Sequence, residues 1–441
     1  MPDLIIKNAK LVLPDGIVEG GIVIEGGRIK EIKKGSSLPD SGEVIDANGN
    51  YVLPGLIDAH VHFREPGASS KEDWTTGSAA AAAGGITTVL DMPNTQPPTT
   101  TLENLEEKRR IASSKSVVDY GFHFGACNEN IEELNSLADG IASVKFYMSQ
   151  TTGNLTVDND AVFHEELKVL AGKGILATVH AENGEMIEYF TAKLHEEGRD
   201  DPLAYADSRP PICAADATNM AIFLAGLVDC RLHLCHASTS LEVAMIEEHK
   251  KSQQLTAEAT PHHLFLTRDD LKKLGAYAKT NPPLRTDEDR KALWNGITSG
   301  AIDIISSDHA PHLPESKEQG IWKSSAGVPG VETLLPLLLN EVNNGSLSME
   351  MVARLTAENP ARIFGIENKG KIAEGYDADL TIVDLNKEFK IKNDDLFTKC
   401  KWSPFNGRKL KGRPVKTIVR GNIIFDQGHI NETLGMEVNY V

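Results

Sequence analysis

The sequence predicts an α/β protein: a central (β/α)8 TIM-like barrel with a small β-sandwich domain formed from both termini. Three observations carry this expectation. Strand-like pieces punctuated by Gly and Asp occupy both ends of the 441-residue chain. Between them, short apolar runs alternate with helical stretches, the βαβ pattern of a parallel sheet. Eight such runs can be counted, and several end in polar residues, as expected of a barrel whose site lies at the C-terminal ends of its strands. The length suits a barrel of roughly 250–400 residues plus a smaller unit. The expected division is 1–54 and 370–441 for the sandwich and 55–369 for the barrel.

The first stretch, DLIIKNAKLVL, breaks at Asp15-Gly16 and resumes as IVEGGIVIEGGRIKEI and GEVIDANGNYVLPG, alternating apolar residues with Gly and charge. DADLTIVDL and PVKTIVRGNIIFDQG near the other end match it in style, so the two ends pair into one domain. The eight middle strands are IDAHVHF, TTVLDMP, DYGFHFG, SVKFYM, ILATVHA, RLHLCHA, LTAEATP and IDIISSD. ENLEEKRRIAS and AVFHEELKVLAGKG are among the helical segments between them, and the small-residue run Ala79–Ala83 reads as a buried helix.

Composition narrows the function. Hydrophobic residues at 40% and charged residues at 24% are ordinary for a soluble globular chain. A net charge of −18 argues against nucleic acid and anionic membranes as partners, while an anionic small molecule stays open because local cations override net charge. Five scattered cysteines without a C-x-x-C pair point to a reducing, cytoplasmic setting. The start MPDLIIKNAK lacks a signal-peptide pattern, and no apolar run reaches the roughly 18 residues of a membrane span.

Chemistry concentrates at the predicted strand ends. His60 and His62 are two apart on a strand and point the same way, an arrangement that suits a divalent metal. His180 and His236 each end an apolar strand; taken singly, each reads more readily as a satisfied core histidine. Asp308 follows the apolar AIDIISS, where a buried carboxylate needs a partner. Four histidines and an aspartate at strand ends together read as a metal site. Lys145, inside SVKFYM, is either a snorkelling or ion-paired lysine or a neutral amine that has become a carbamate. Spacing does not decide between them.

DAHVHFREPG resembles the signature of the dihydroorotases within the amidohydrolase superfamily. Further matches are DMPNTQPPT, SVKFYM, TVHAEN, HLCHAST, EATPHHLFL, KTNPPLR, SSDHAPH, GVPGVET, NPARIFG and WSPFNGRKLKGRPVKTIVRG, in order along nearly the whole chain. The resemblance implies reversible cyclisation of N-carbamoyl-L-aspartate to L-dihydroorotate, a step of pyrimidine synthesis. It implies two zinc ions, one held by His60 and His62, the other by His180 and His236. Carboxylated Lys145 would bridge them, and Asp308 would be both a ligand and the general base and acid. Arg64, Asn94 and His312 would bind the substrate carboxylate; Asn281 and the backbone at Pro329-Gly330 would contact the ring. Thr151 and Thr152 read either as a lid or as a polar turn, and Glu258 faces the mouth without an assigned role. His123, His233, His262 and His263 read as structural.

Two rival readings share these residues. An allantoinase or hydantoinase keeps the fold and metals, but a substrate without the carboxylate leaves the Arg64 charge unpaired. A non-catalytic scaffold is the other, and the presence of every ligand residue weighs against it. Oligomeric state stays open between a monomer and the homodimer common among symmetric assemblies, as does docking onto aspartate transcarbamoylase.

Overall fold

A computed structural model describes residues 2–35, 42–138, 140–153 and 155–441. The chain opens with β1 (Leu4–Leu13), β2 (Gly16–Glu25), β3 (Arg28–Lys34), β4 (Glu43–Asp46) and β5 (Tyr51–Pro54). β1 and β2 form a hairpin in which Leu13 pairs Gly16, so the turn is Pro14-Asp15, one residue earlier than the Asp15-Gly16 break suggests. Gly16, at φ 126°, begins the returning strand in a backbone conformation open to glycine.

Eight strands follow: β6 (Leu56–Val61), β7 (Ile86–Asp91), β8 (Asp119–Gly125), β9 (Ser143–Tyr147), β10 (Ala177–His180), β11 (Leu232–Leu234), β12 (Leu255–Ala259) and β13 (Ile304–Ile305). Each coincides with one of the eight apolar runs, β6 and β7 starting one residue earlier than the run. They pair in sequence order, all parallel, from β6 to β13. A parallel bridge between Val61 and His309, with His62 N donating to His309 O at 2.9 Å, joins the last strand to the first. Every residue of β6, β7, β8 and β9 is buried, as expected for a parallel sheet covered on both faces. The small-residue run lies in the helix Trp74–Ala83, where alanines at 80–83 are buried against the barrel.

The chain returns to the first sheet through β14 (Leu380–Lys390), β15 (Lys409–Val419), β16 (Asn422–Asp426) and β17 (His429–Ile430). β14 pairs antiparallel with β5, so strands from both ends form one nine-stranded sheet. Leu4, Ile22, Val52, Leu380 and Ile418, from strands along that sheet, share one buried core. The last residues come back to the barrel: Tyr120 N donates to Met436 O, and Val438 N to Tyr120 O. Among the described residues, no helix is long and apolar enough to cross a membrane.

The two parts are joined by a buried ionic knot. Lys369 Nζ lies 2.5 Å from Asp379 Oδ2, 2.7 Å from Asp119 Oδ2 on β8 and 3.2 Å from Asp377 Oδ2. Arg420, just beyond β15, also pairs with Asp119. Removing one partner from such a network strands the opposite charges in a low dielectric. Lys369→Met should therefore lower stability by about 3–5 kcal/mol, measured as a shifted midpoint in denaturant unfolding; an unchanged midpoint would show that the knot does not hold the parts together.

Candidate functional site

The strand ends meet at one mouth. His60 and His62 leave β6 on the same face, and the Nε2 of each looks at Asp308 Oδ1, at 3.4 Å and 3.1 Å. Asp58, two residues earlier on that face, receives the backbone N–H of His60 at 3.3 Å and of Ser307 at 3.0 Å, tying β6 to the segment that carries Asp308. The other edge of each imidazole is also held. His60 Nδ1 meets Glu258 Oε1 at 2.5 Å, and His62 Nδ1 meets Asn94 Oδ1 at 2.7 Å. Burial alone would lower the His60 pKa, but the carboxylates of Glu258 and Asp308 raise it to about 10. Burial holds His62 down at about 3. For Asp308, burial would raise the pKa, yet the imidazoles of His60 and His62 keep it well below the usual carboxylate range.

Opposite them, His180 Nδ1 and His236 Nε2 are 2.9 Å apart, and burial depresses both pKa values. His180 Nε2 meets Glu182 Oε2 at 3.0 Å, and Arg209 Nη1 donates to the same oxygen at 2.6 Å. Burial would raise the Glu182 pKa, but Arg209 and then His180 bring it to about 2. Lys145 is 0% exposed, which excludes snorkelling, and its Nζ lies 2.6 Å from Cys235 Sγ. It pairs in register with Thr178, while Tyr147 stands beside His180. Three residues of the mouth, Arg64, His236 and Asp308, have positive φ angles of 64°, 33° and 45°, a backbone conformation costly for side-chain-bearing residues and common at functional sites.

These groups fit a metal. His60, His62 and Asp308 present donor atoms within 4.8 Å of one another, as do His60, Cys235 and Glu258. His180 and His236 add two imidazoles whose pKa values burial depresses, and among the described residues His236 Nδ1 is a buried atom without a hydrogen-bond partner. The second contacts of His60, His62 and His180 (Glu258, Asn94 and Glu182) are the outer hydrogen bonds that fix the tautomer and orientation of ligating histidines.

The polar residues of the mouth extend from this centre. Arg64 Nη2 is 3.2 Å from His312 Nε2, which also lies 3.0 Å from Ala326 O. Asn94 Nδ2 donates to Thr151 Oγ1 at 3.4 Å, so the 151 turn touches the His62 support. Asn281 Oδ1 accepts from the hydroxyl of Tyr205. At Pro329-Gly330, the Gly330 N–H donates to His309 Nδ1, and its carbonyl accepts from Thr333 and Leu334 N–H. The Pro329 carbonyl is the group these bonds leave for a ligand. His123 and His233 are buried on Ser143, Ala59, Thr256 and Glu258, and His262 and His263 on Thr260, in keeping with structural roles. Sequence reasoning missed Glu182, Arg209, Tyr205 and the His309–Glu72 contact at 3.3 Å that backs the Gly330 turn. The one available signal was Glu182, on the same face as His180 two residues on.

Residues 51–424 match the model of the amidohydrolase family. The dihydroorotase of Methanosphaera stadtmanae is 41% identical over 429 residues, 96% of either chain. That of Methanosarcina acetivorans is 42% identical over 446 residues, covering 99% of this chain and 94% of its own. The solved L-hydantoinase (dihydropyrimidinase) from Arthrobacter aurescens superposes with a TM-score of 0.96 at 34% identity over the full length of both chains.

Metal binding should appear as stability. Chelator-stripped protein given Zn2+ at 100 times the Kd should gain about 2.7 kcal/mol, read as a higher unfolding temperature, and His62→Ala should remove most of that gain. A midpoint indifferent to metal would discard the metal reading of these side chains.

Proposed function

The chain belongs to the amidohydrolase family, and from that premise we propose that it catalyses the dihydroorotase reaction, the reversible cyclisation of N-carbamoyl-L-aspartate to L-dihydroorotate in pyrimidine biosynthesis. One observation carries the choice of substrate. Arg64 is buried beside Asp308 and His312, and among the described residues no carboxylate forms an ion pair with it. Its bonds go to Pro311 O at 3.4 Å and His312 Nε2 at 3.2 Å. A buried guanidinium without an anion is costly, and its planar fork matches a carboxylate. Dihydroorotate and N-carbamoyl-aspartate bring that carboxylate; hydantoin and allantoin do not.

A zinc pair would be held at this site by His60, His62 and Asp308 together with His180 and His236, and carboxylated Lys145 would be their shared ligand. When bound, the pair supplies Lewis acidity toward water and toward the amide carbonyl. Lys145 is placed for carboxylation by its buried position on β9, with Nζ 2.6 Å from Cys235 Sγ; the free amine adds to carbon dioxide with loss of one proton. Asp308, beside both first-strand histidines, accepts the proton of the attacking water and delivers it to the leaving ring nitrogen. In the cyclising direction it takes that proton from the carbamoyl nitrogen. Arg64, His312 and Asn94 fix the substrate carboxylate, and Asn281 with the Pro329 carbonyl contacts the ring. Asn94 serves twice, since it also holds His62.

The L-hydantoinase likeness keeps one rival: the same barrel and metals acting on a neutral ring. A panel of dihydroorotate, N-carbamoyl-aspartate, allantoin and hydantoin on zinc-loaded protein separates them. Turnover of the first two alone is expected; turnover of hydantoin or allantoin instead overturns the substrate assignment, and silence on all four with metal bound favours a scaffold. Arg64→Met should lower kcat/KM for dihydroorotate by about 30-fold or more, the loss of a buried charged contact worth about 2–5 kcal/mol, with metal content unchanged. Wild-type kinetics in that variant would end the carboxylate-clamp idea. Lys145→Ala should lose bound metal and turnover together, as metal analysis and assay on one sample would show; two retained metals would rule out the bridging role.

A further inference from the structure

Behind the mouth, Tyr205 on the short helix Pro202–Asp207 is almost fully buried and touches both halves of the site. Two cations approach its ring: Lys279 Nζ, two residues before Asn281, stands 4.0 Å from the ring centroid, and the Arg209 guanidinium stands 5.3 Å away. Attraction between cation and ring is strengthened where water is excluded. Arg209 reaches on to Glu182 at 2.6 Å, and Glu182 to His180 at 3.0 Å. Lys279 Nζ is fixed in turn by the carbonyls of Ile321 at 2.8 Å, Trp322 at 3.2 Å and Ser324 at 2.6 Å. The ring is therefore packed against two residues that are themselves anchored. That leaves the hydroxyl little freedom, and it donates to Asn281 Oδ1.

A carboxamide has two chemically opposite ends, and a fixed donor on one decides which end faces a ligand. With Oδ1 engaged by Tyr205, the NH2 of Asn281 is the end available to a carbonyl oxygen. We propose that Tyr205 is a specificity-determining positioning residue, whose hydroxyl orients the Asn281 carboxamide so that it donates to a carbonyl of the substrate ring. This rests on the reading of Asn281 as a substrate contact. The role concerns binding of the ring, so it should be visible in KM and leave the metal chemistry alone.

The test is a double-variant cycle on zinc-loaded protein with dihydroorotate, with zinc content measured on every sample. Tyr205→Phe keeps the ring against its two cations and removes the hydroxyl, which also meets Arg209, so the zinc content of this variant controls for any effect through Glu182 and His180. It should raise KM about five- to tenfold, the effect of one hydrogen bond, with kcat within about twofold and metal unchanged. Asn281→Ala should raise KM as well, and adding Tyr205→Phe to it should change nothing further, because the hydroxyl acts through the amide. A merely structural role would move both backgrounds alike. Wild-type KM in Tyr205→Phe, independent effects that multiply in the double variant, or loss of metal in Tyr205→Phe would each overturn the proposal. If wild-type protein turns over hydantoin and not dihydroorotate, the substrate reading fails separately, and the same cycle run on hydantoin then decides for or against Tyr205.

Discussion

Closure of the parallel sheet is the constraint on which the site depends. His62 and Asp308 are 246 positions apart, yet they meet at 3.1 Å because β13 and its continuation lie beside β6. The bridge from Val61 to His309 and the bond from His62 N to His309 O fix that meeting one residue from each functional side chain. Asp58 adds a second tie across the same seam by accepting N–H groups from both His60 and Ser307. A slip of one residue would turn the alternate side chains away, since neighbouring strand residues face opposite sides. The catalytic pairing is thus a consequence of register, and no local sequence preference near either residue could produce it alone.

That division explains what was legible in the sequence. Strand periodicity marked all eight barrel strands because a parallel sheet buried on both faces demands continuous apolar runs. The same runs drew attention to His60, His62 and Asp308, and to His180 and His236 once taken together, as polar groups where an unpartnered polar group is costly, whereas the role of Lys145 came only from the family resemblance. Contacts between distant loops left no comparable trace. Arg209 and Tyr205 lie on a short helical excursion after β10, and His309–Glu72 links residues 237 positions apart. Each is an ordinary residue in a polar stretch until the fold supplies its partner. Arg64 stands between these cases. Strand alternation placed it in the mouth, but it lies beyond β6, and a left-handed backbone at φ 64° sets its position.

The supports behind the ligand histidines differ in charge, and the difference is informative. Glu258 is an unusually busy anion: it meets His60 at 2.5 Å, the His236 backbone N–H at 3.1 Å and His233 at 3.4 Å. It thereby couples one histidine of each pair. Glu182 performs the equivalent task for His180 but is itself neutralised by Arg209. Asn94, which is uncharged, holds His62. Anionic support makes an imidazole a stronger donor, whereas amide support only orients it. Of the three supported imidazoles, His62 is the one held by an uncharged group.

The mouth as a whole separates charge. Asp308, Glu258 and Glu182 gather around the histidines, while the guanidinium of Arg64 stands to one side with only His312 and a carbonyl for company. Arg64 feels the field of Asp308, yet among the described residues it closes no ion pair with a carboxylate. A ligand that neutralises the cation at one end, and presents an electrophilic amide carbon to the histidine cluster at the other, suits both parts of the mouth. Dihydroorotate, with its carboxylate beside a ring amide, has that polarity built in. A neutral ureide suits only the second part and leaves the charge at the first as a standing cost of the bound state.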